Sequence, residues 1–382
     1  MNYDLTEDQQ ILRESVRKFA ENVIKPVARE LDEKEEFSLD TMSRMAEMGL
    51  FGVFVSPEYQ GQGLEYISYI IATEEIARID GSHAATVAAG NSLGIGPINY
   101  FGNAEQKKKY LPKLCSGEAL WGFGLTEPDA GSDAGGSRTT ATLDGNEWVI
   151  NGSKIFITNA STPISMGVTV QVVTGKRPDG RPEISCLLVE NGTRGFESKE
   201  MHGKLMWRSS NTSELYFEDC RVPKENLLGQ QGDGFHQMLS ILDGGRLSIG
   251  AMGLGCAQGA FDLAIAYAQE RQQFGKPICK FQAIAFKLAD MAMEIELARN
   301  LLYKAGWLRE QKRPFGKEAA MGKLYCSEVA RRVATQAVQI HGGYGLMKEY
   351  DVERFYRDAK LLEIGEGTSE VQRIVISRQI GC

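Results

Sequence analysis

Helical periodicity at both ends of this chain encloses a stretch of short β-branched runs, and that order limits the fold more than any single residue does. Near the start, Ile11, Leu12, Val16, Phe19, Val23 and Ile24 follow a 3.6-residue period behind a Thr6/Gln9 capping pair, so a helix is expected there, ending near Pro26. Further helical patterns cover 39–48, 67–79, 83–100 and 105–114, punctuated by Gly61, Gly63 and Pro97. From about Trp121 the pattern changes. Runs at 147–150, 155–158, 168–173, 184–189 and 214–217 are β-branched or aromatic, and Asp-Gly, Asn-Gly and Pro-Asp-Gly turns separate them, as in an antiparallel sheet or barrel. After Gly232 long amphipathic stretches over about 234–270, 281–312 and 317–341, with shorter ones after Glu353 and Thr368, predict an antiparallel helical bundle. The expected class is therefore α+β, in three units: an N-terminal all-α domain (1–119), a middle antiparallel β domain (120–228) and a C-terminal four-helix-bundle domain (229–382).

Composition excludes several functions. With 42% apolar and 24% charged residues the chain is ordinary for a globular protein, and a net charge of −7 gives no surface for nucleic acid. Any anionic ligand must be held by local donors rather than by the overall field. Charge interrupts the apolar runs, so no membrane span is expected. The opening Met1, Asn2, Tyr3, Asp4 stretch is polar and acidic, unlike a signal or transit peptide, and predicts a cytoplasmic protein. The seven cysteines (Cys115, Cys186, Cys220, Cys256, Cys279, Cys326, Cys382) lack C-x-x-C spacing and read as reduced thiols. Four dispersed histidines give no metal site.

Six segments could carry chemistry. Glu366 lies between Gly365 and Gly367, just before a helix that Ser369 and Gln372 are spaced to cap; it reads either as a helix-start charge or as a carboxylate on a permissive loop. The stretch 123–133, with Gly131, Gly135 and Gly136 beside Thr126, Ser132 and Ser137, reads as an anion-facing loop or as a polar turn opening the β domain. Phe156 and Thr158 share one face of a strand, which suits a flat heterocycle or plain sheet core. Gly244 and Gly245, inside a helix at about 1 kcal/mol each relative to alanine, imply a close approach or a kink. Arg271 precedes Gly275, expected as a helix C-cap, and fits a phosphate or the helix dipole. His341, at the helix stop before Gly342 and Gly343, reads as structural.

Together, the L-T-E-P-x-A-G-S-D stretch at 125–133 and the E-G-T-S-E-x-Q-R stretch at 366–373, on an α–β–α layout, resemble the acyl-CoA dehydrogenase family over essentially the whole chain. The short-chain and branched-chain members are the nearest in pattern. The resemblance implies flavin adenine dinucleotide (FAD) between the β domain and the C-terminal bundle. Phe123, Leu125, Thr126, Gly131, Ser132, Phe156 and Thr158 would line it, with Thr368 and Glu370 as further contacts. Arg271, Phe274, Gln282, Gln339 and Gly343 match positions reaching a neighbouring subunit's flavin, which implies a homo-oligomer, usually a homotetramer in the family. Ser132, Asp243, Arg246 and Gly367 would meet the CoA thioester.

The same resemblance makes Glu366 the base that removes the acyl α-proton while hydride leaves the β-carbon for flavin N5. Its own backbone N–H would share the thioester carbonyl with a flavin hydroxyl, and an electron-transferring flavoprotein would take the electrons. Several departures bear on the acyl group. Isovaleryl and long-chain members place the base just before the arginine matching Arg246; here that residue is Gly245. Many straight-chain members carry tyrosine where this chain has Gly365, and losing the ring leaves room for a branched or cyclic acyl group. The arginine of glutaryl-type members is absent from the helix holding Ala84, Ala85 and Thr86, and Phe156 replaces a tryptophan of many relatives. The rival readings are an oxygen-reactive oxidase-like flavoprotein and a non-enzymatic binding or assembly protein on this scaffold.

Overall fold

The computed structural model describes residues 4–382; Met1, Asn2 and Tyr3 of the polar N-terminal stretch lie outside it. The first helix, α1 (Glu7–Phe19), opens on the expected capping box, in which the Gln9 N–H donates to Thr6 Oγ1 at 3.3 Å and the Thr6 N–H donates to Gln9 Oε1 at 3.1 Å. It does not end at Pro26. A wide π-turn (Ala20–Ile24) passes directly into α2 (Lys25–Lys34), which places Pro26 in a first turn, where a missing N–H is no loss. Then come α3 (Leu39–Glu47), α4 (Tyr66–Ala77), α5 (Gly81–Ala89), a second π-turn (Gly90–Ile95), α6 (Gly96–Phe101) and α7 (Ala104–Cys115). Every residue of α5 and all of α4 but the half-buried Ile67 are buried, so this pair is core rather than surface.

The middle segment is one sheet of β1 (Leu120–Gly124), β2 (Thr140–Asp144), β3 (Glu147–Thr158), β4 (Ser165–Lys176), β5 (Pro182–Glu190), β6 (Phe196–Glu200) and β7 (Thr212–Pro223). The order is β1-β4-β2-β3-β7-β6, with β5 paired to β4. Most pairings are antiparallel as expected, but β1 runs parallel to β4, and Thr140 of β2 meets Val173 of β4 in parallel. Turn dipeptides report only hairpin neighbours, so a pairing closed by a long crossover leaves no local signal. A core of its own, including Trp148, Ile150, Val168, Val170, Leu187 and Leu215, fills this sheet's inner side.

The C-terminal segment contains α8 (Gly234–Glu270), α9 (Gln282–Glu310), α10 (Gly316–His341), α11 (Val352–Leu362) and α12 (Ser369–Gln379), close to the expected stretches. Helix α8 runs through Gly244 and Gly245 unbroken. It is also long and apolar enough to cross a bilayer by composition, unlike the sequence expectation, because its charges are sparse; 67% of that window is buried in the protein, which makes it the bundle's central helix. Gly275 is not a helix C-cap. The helix stops at Glu270, and Phe274 (φ 51°) and Gly275 (φ 76°) turn a short hairpin between β8 (Gln272–Gln273) and β9 (Lys276–Pro277). All seven cysteines are unpaired.

Candidate active site around Glu366

Two helices and one strained turn converge here. Between α11 and α12 the chain turns through Glu366 at φ 51° and Gly367 at φ 95°. A left-handed glutamate costs roughly 1–2 kcal/mol, a strain that persists only where the surroundings impose it. Those surroundings are polar contacts beneath the turn. The Gln372 side-chain amide donates to the Gly367 carbonyl at 2.9 Å and to the Glu366 carbonyl at 3.3 Å, and Lys323 Nζ of α10 donates to Gly367 O at 2.7 Å. Gln372 therefore does not form the expected capping box with Ser369. Thr368 is the N-cap, accepting the Val371 N–H at 3.3 Å, because buried Gln372 is drawn back onto the turn. Gly367 is required by its φ, and a Cβ there would meet Gln372 Nε2 at 2.8 Å. Gly365 is not: its φ is unexceptional, and a Cβ would find ordinary contacts with Leu361 at 3.5 Å and beyond. Its smallness leaves space, not backbone freedom.

The carboxylate of Glu366 lies against α8. A Cβ on Gly245 would overlap Glu366 Oε2 and sit 2.9 Å from its carboxyl carbon, so the close approach anticipated for the glycine pair is made by the base candidate itself. Gly244 faces elsewhere; its Cβ would meet Arg309 Nη1 at 2.7 Å and the Tyr66 hydroxyl at 3.1 Å. Glu366 Oε2 is buried without a hydrogen-bond partner, and neither the Glu366 nor the Gly367 N–H donates to any described group. Burial pushes this carboxyl up to about 7, against the lowering influence of Lys323 and then Arg246. Arg246, 6% exposed, pairs with Asp243 one helical turn back, and its Nε is a second buried group without a partner.

The 123–133 stretch is anchored from below. Glu127 accepts from Lys154 Nζ at 2.7 Å, from the Thr139 N–H at 3.0 Å and from the Arg138 N–H at 2.7 Å. Burial opposes ionisation of Glu127, but the fully buried Lys154 ammonium and these donors outweigh it and hold the carboxyl at about 2. Above this anchor Gly131 and Ser132 are exposed, whereas Phe123 is buried and Leu125 and Thr126 are half-buried. The Ile155 N–H donates to Thr126 O at 2.9 Å, which brings the stretch alongside Phe156. Phe156 occupies a bulge at φ 62° and is 62% exposed, so it is not sheet core; with Thr158 it flanks the inward Ile157.

The chain as a whole matches a known family. The chain matches the acyl-CoA dehydrogenase N-terminal domain over 6–118, the middle domain over 122–220 and the C-terminal domain over 232–381. It belongs to the acyl-CoA dehydrogenase family. The chain is 54% identical over 380 residues to a probable acyl-CoA dehydrogenase of Bacillus subtilis, across 100% of both proteins. Its fold is similar to that of the butyryl-CoA dehydrogenase of Megasphaera elsdenii (42% identity, TM-score 0.96, 100% of both chains). It is equally similar to a chain in a structure of the electron transferring flavoprotein of Acidaminococcus fermentans (43% identity, TM-score 0.96, 100% of both chains).

Like its family, this acyl-CoA dehydrogenase is an FAD-dependent oxidoreductase. The residues present fit such a cofactor. Phe156 and Phe274 are rings held out on left-handed backbone, Phe274 92% exposed, and no atom lies within 4 Å of the open side of Gly131 or Gly343. Arg271, Phe274, Gln282, Gln339 and Gly343 are all exposed at one end of the bundle, where Arg271 lies 5.5 Å from the Tyr344 ring and Phe274 5.9 Å from Phe281. No hydrogen bond or ring contact joins that surface to Glu366 among the described residues. Thr368 and Glu370 sit at the start of α12 beside the strained turn. Sequence reasoning missed Lys323 and misassigned Gln372, the two side chains that hold the turn from below. A lysine on the inward stripe of α10 was the available signal, since lysine is almost never fully buried without cause.

Proposed function

We propose that the chain dehydrogenates a short acyl-CoA to the 2-enoyl-CoA, tolerating a branched or cyclic acyl group, with Glu366 removing the α-proton. The observation that carries this is the Glu366 carboxylate: its buried oxygen has no partner and faces a glycine where a side chain would collide with it. A carboxyl at about 7 is half ionised near neutral pH, where a general base works most effectively. The unpartnered Glu366 N–H is free to donate to the thioester carbonyl, so one residue both takes the α-proton and stabilises the charge that its departure leaves. Ser132, Asp243, Arg246 and Gly367 hold the CoA thioester, and the lack of a side chain at Gly365, where a Cβ would make only ordinary contacts with Leu361, accommodates branching beside the reacting carbons.

Phe123, Leu125, Thr126, Gly131, Ser132, Phe156, Thr158, Thr368 and Glu370 would hold FAD from this subunit; when bound, FAD supplies the hydride acceptor for the β-carbon. Arg271, Phe274, Gln282, Gln339 and Gly343 reach the flavin of a neighbouring subunit in a homotetramer. The apolar residues that α9 leaves exposed, Phe286, Met293, Leu297 and Trp307, support that assembly. An electron-transferring flavoprotein is the acceptor, in line with the structure in which a similar chain occurs. The test is anaerobic mixing of the FAD-loaded protein with butyryl-, isobutyryl- and cyclic acyl-CoA. Bleaching of the oxidised flavin that air alone reverses only slowly is expected; no bleaching with any acyl-CoA refutes the reading, and rapid reoxidation by air shows an oxidase instead.

A further inference from the structure

We propose that Lys323 is a positioning residue for the base: from the buried face of α10 it holds the strained turn that carries Glu366 and supplies the positive charge that keeps its carboxylate ready to accept a proton. This rests on the assignment of Glu366 as base.

Lys323 is 0% exposed, and the inward residues nearest it on the helix are small or apolar, among them Ala319, Ala320, Gly322, Cys326 and Val329. A leucine or methionine would fill that stripe at far lower cost than a charge removed from water. The Lys323 ammonium makes one hydrogen bond, to Gly367 O at 2.7 Å, and no described carboxylate oxygen lies within ion-pair distance of it. A buried cation spent on a single backbone carbonyl implies a role for that carbonyl. It belongs to the residue after Glu366, in a left-handed turn that lies outside any helix or strand. Lys323 and Gln372 together donate to the carbonyls of Glu366 and Gly367. The Gly365 N–H donates to Leu361 O at 2.8 Å and the Ser369 N–H donates to Glu363 O at 2.9 Å, closing the turn on either side. The Glu366 N–H and Glu366 Oε2, the two groups that the proposed reaction uses, are left without a partner among the described residues.

The charges facing the pair come from four elements. Glu363 ends α11, Glu370 opens α12 and Arg246 faces from α8, while Tyr66 and Tyr69 of α4 face Glu366 as phenols that burial keeps neutral. Of the two cations that favour ionised Glu366, Lys323 has the larger influence. Burial in turn draws Lys323 down to about 8, with Glu366 its strongest support. The two groups therefore titrate as one coupled pair around neutrality. Removing the lysine charge leaves burial less opposed, so the Glu366 carboxyl must titrate at a higher pH.

The experiment is an infrared pH titration of the FAD-loaded protein, following the protonated-carboxyl band that Glu366→Gln abolishes. Wild type is expected to show a midpoint near 7. In Lys323→Met that midpoint rises by about 1 unit or more, as loss of an adjacent opposite charge requires, and the acid limb of the bleaching rate moves with it. A midpoint unchanged in Lys323→Met overturns the proposal, even if the variant is slower, because a merely structural lysine leaves the titration where it was. Circular dichroism checks folding; if the methionine variant does not fold, Lys323→Gln, which removes the charge and keeps an amide donor, is read by the same criterion. The band reports on Glu366 without turnover, so failure of the acyl-CoA reading shows separately, as an unbleached wild type.

Discussion

Gly245→Ala is the most economical perturbation of the site because it adds one methyl group and nothing else. That methyl would overlap Glu366 Oε2 and lie 2.9 Å from the carboxyl carbon. Non-bonded carbons rest at about 3.5–4.0 Å, so the carboxylate must retreat by roughly 0.6–1.1 Å. A displacement of about 1 Å in a reacting group can cost on the order of 100-fold in rate, equivalent to about 2.7 kcal/mol of barrier. Stability should move much less. Position 245 is inside a continuous helix, where alanine is favoured over glycine by about 1 kcal/mol, which offsets part of the collision. Stopped-flow bleaching with butyryl-CoA should therefore slow about 100-fold while the thermal midpoint stays within a few degrees of wild type. Bleaching at the wild-type rate would show that the working carboxylate does not lie against α8, and the assignment of its position would fall.

Two further perturbations probe selectivity and the ionic core. Gly365→Tyr meets no backbone strain, so the protein should fold and bind FAD, but the ring should reduce bleaching by isobutyryl-CoA at least ~10-fold more than by butyryl-CoA, one decade being about 1.4 kcal/mol; equal losses on both substrates would remove the reading of Gly365 as space for branching. Asp358 of α11 is 2% exposed, accepts the Trp207 N–H at 2.9 Å, and is pushed up to about 7 by burial and then by Asp80, against the Trp207 N–H and Arg354. A raised folded-state carboxyl gives stability that is fully present below the unfolded value, near 4, and is lost as pH rises through about 7, at about 1.4 kcal/mol per unit of difference. Asp358→Asn keeps an acceptor for Trp207 without that charge, so its thermal midpoint should fall less than that of wild type between pH 5 and 8; parallel curves would contradict this.

Large-scale order was legible because it rests on period. The helical segments flanking a β segment, the five C-terminal helices and the Thr6/Gln9 cap all follow from spacing that burial enforces. What failed was local chemistry overridden by distant contacts. Pro26 reads as a stop until a π-turn resets the helix so that proline falls in a first turn. Gly275 reads as a C-cap, although the hairpin it turns needs positive φ at both Phe274 and Gly275. Gln372 has the spacing of a capping box with Ser369, yet its amide is taken by the carbonyls of Glu366 and Gly367.

The site was legible in part for the same reason. Gly244 and Gly245 announced a close approach, and only the folded chain shows that Glu366 meets one and Arg309 the other. Lys323 stands on the inward stripe of α10, a signal easily passed over because a lysine in an amphipathic helix ordinarily belongs to its solvent face. The surface holding Arg271, Phe274, Gln282, Gln339 and Gly343 is exposed in a single subunit, so spacing within one chain cannot link it to Glu366.

If Glu366 takes the α-proton, Glu366→Gln removes the reaction and little else. The amide keeps the size of the side chain, so the turn, the fold and the FAD content should be those of wild type by circular dichroism and by the flavin spectrum. Anaerobic mixing with butyryl-CoA should still perturb that spectrum through binding, while bleaching falls by at least about 100-fold, the lower range for a lost general base. Bleaching at a rate comparable with wild type would contradict the account and assign the proton to another group.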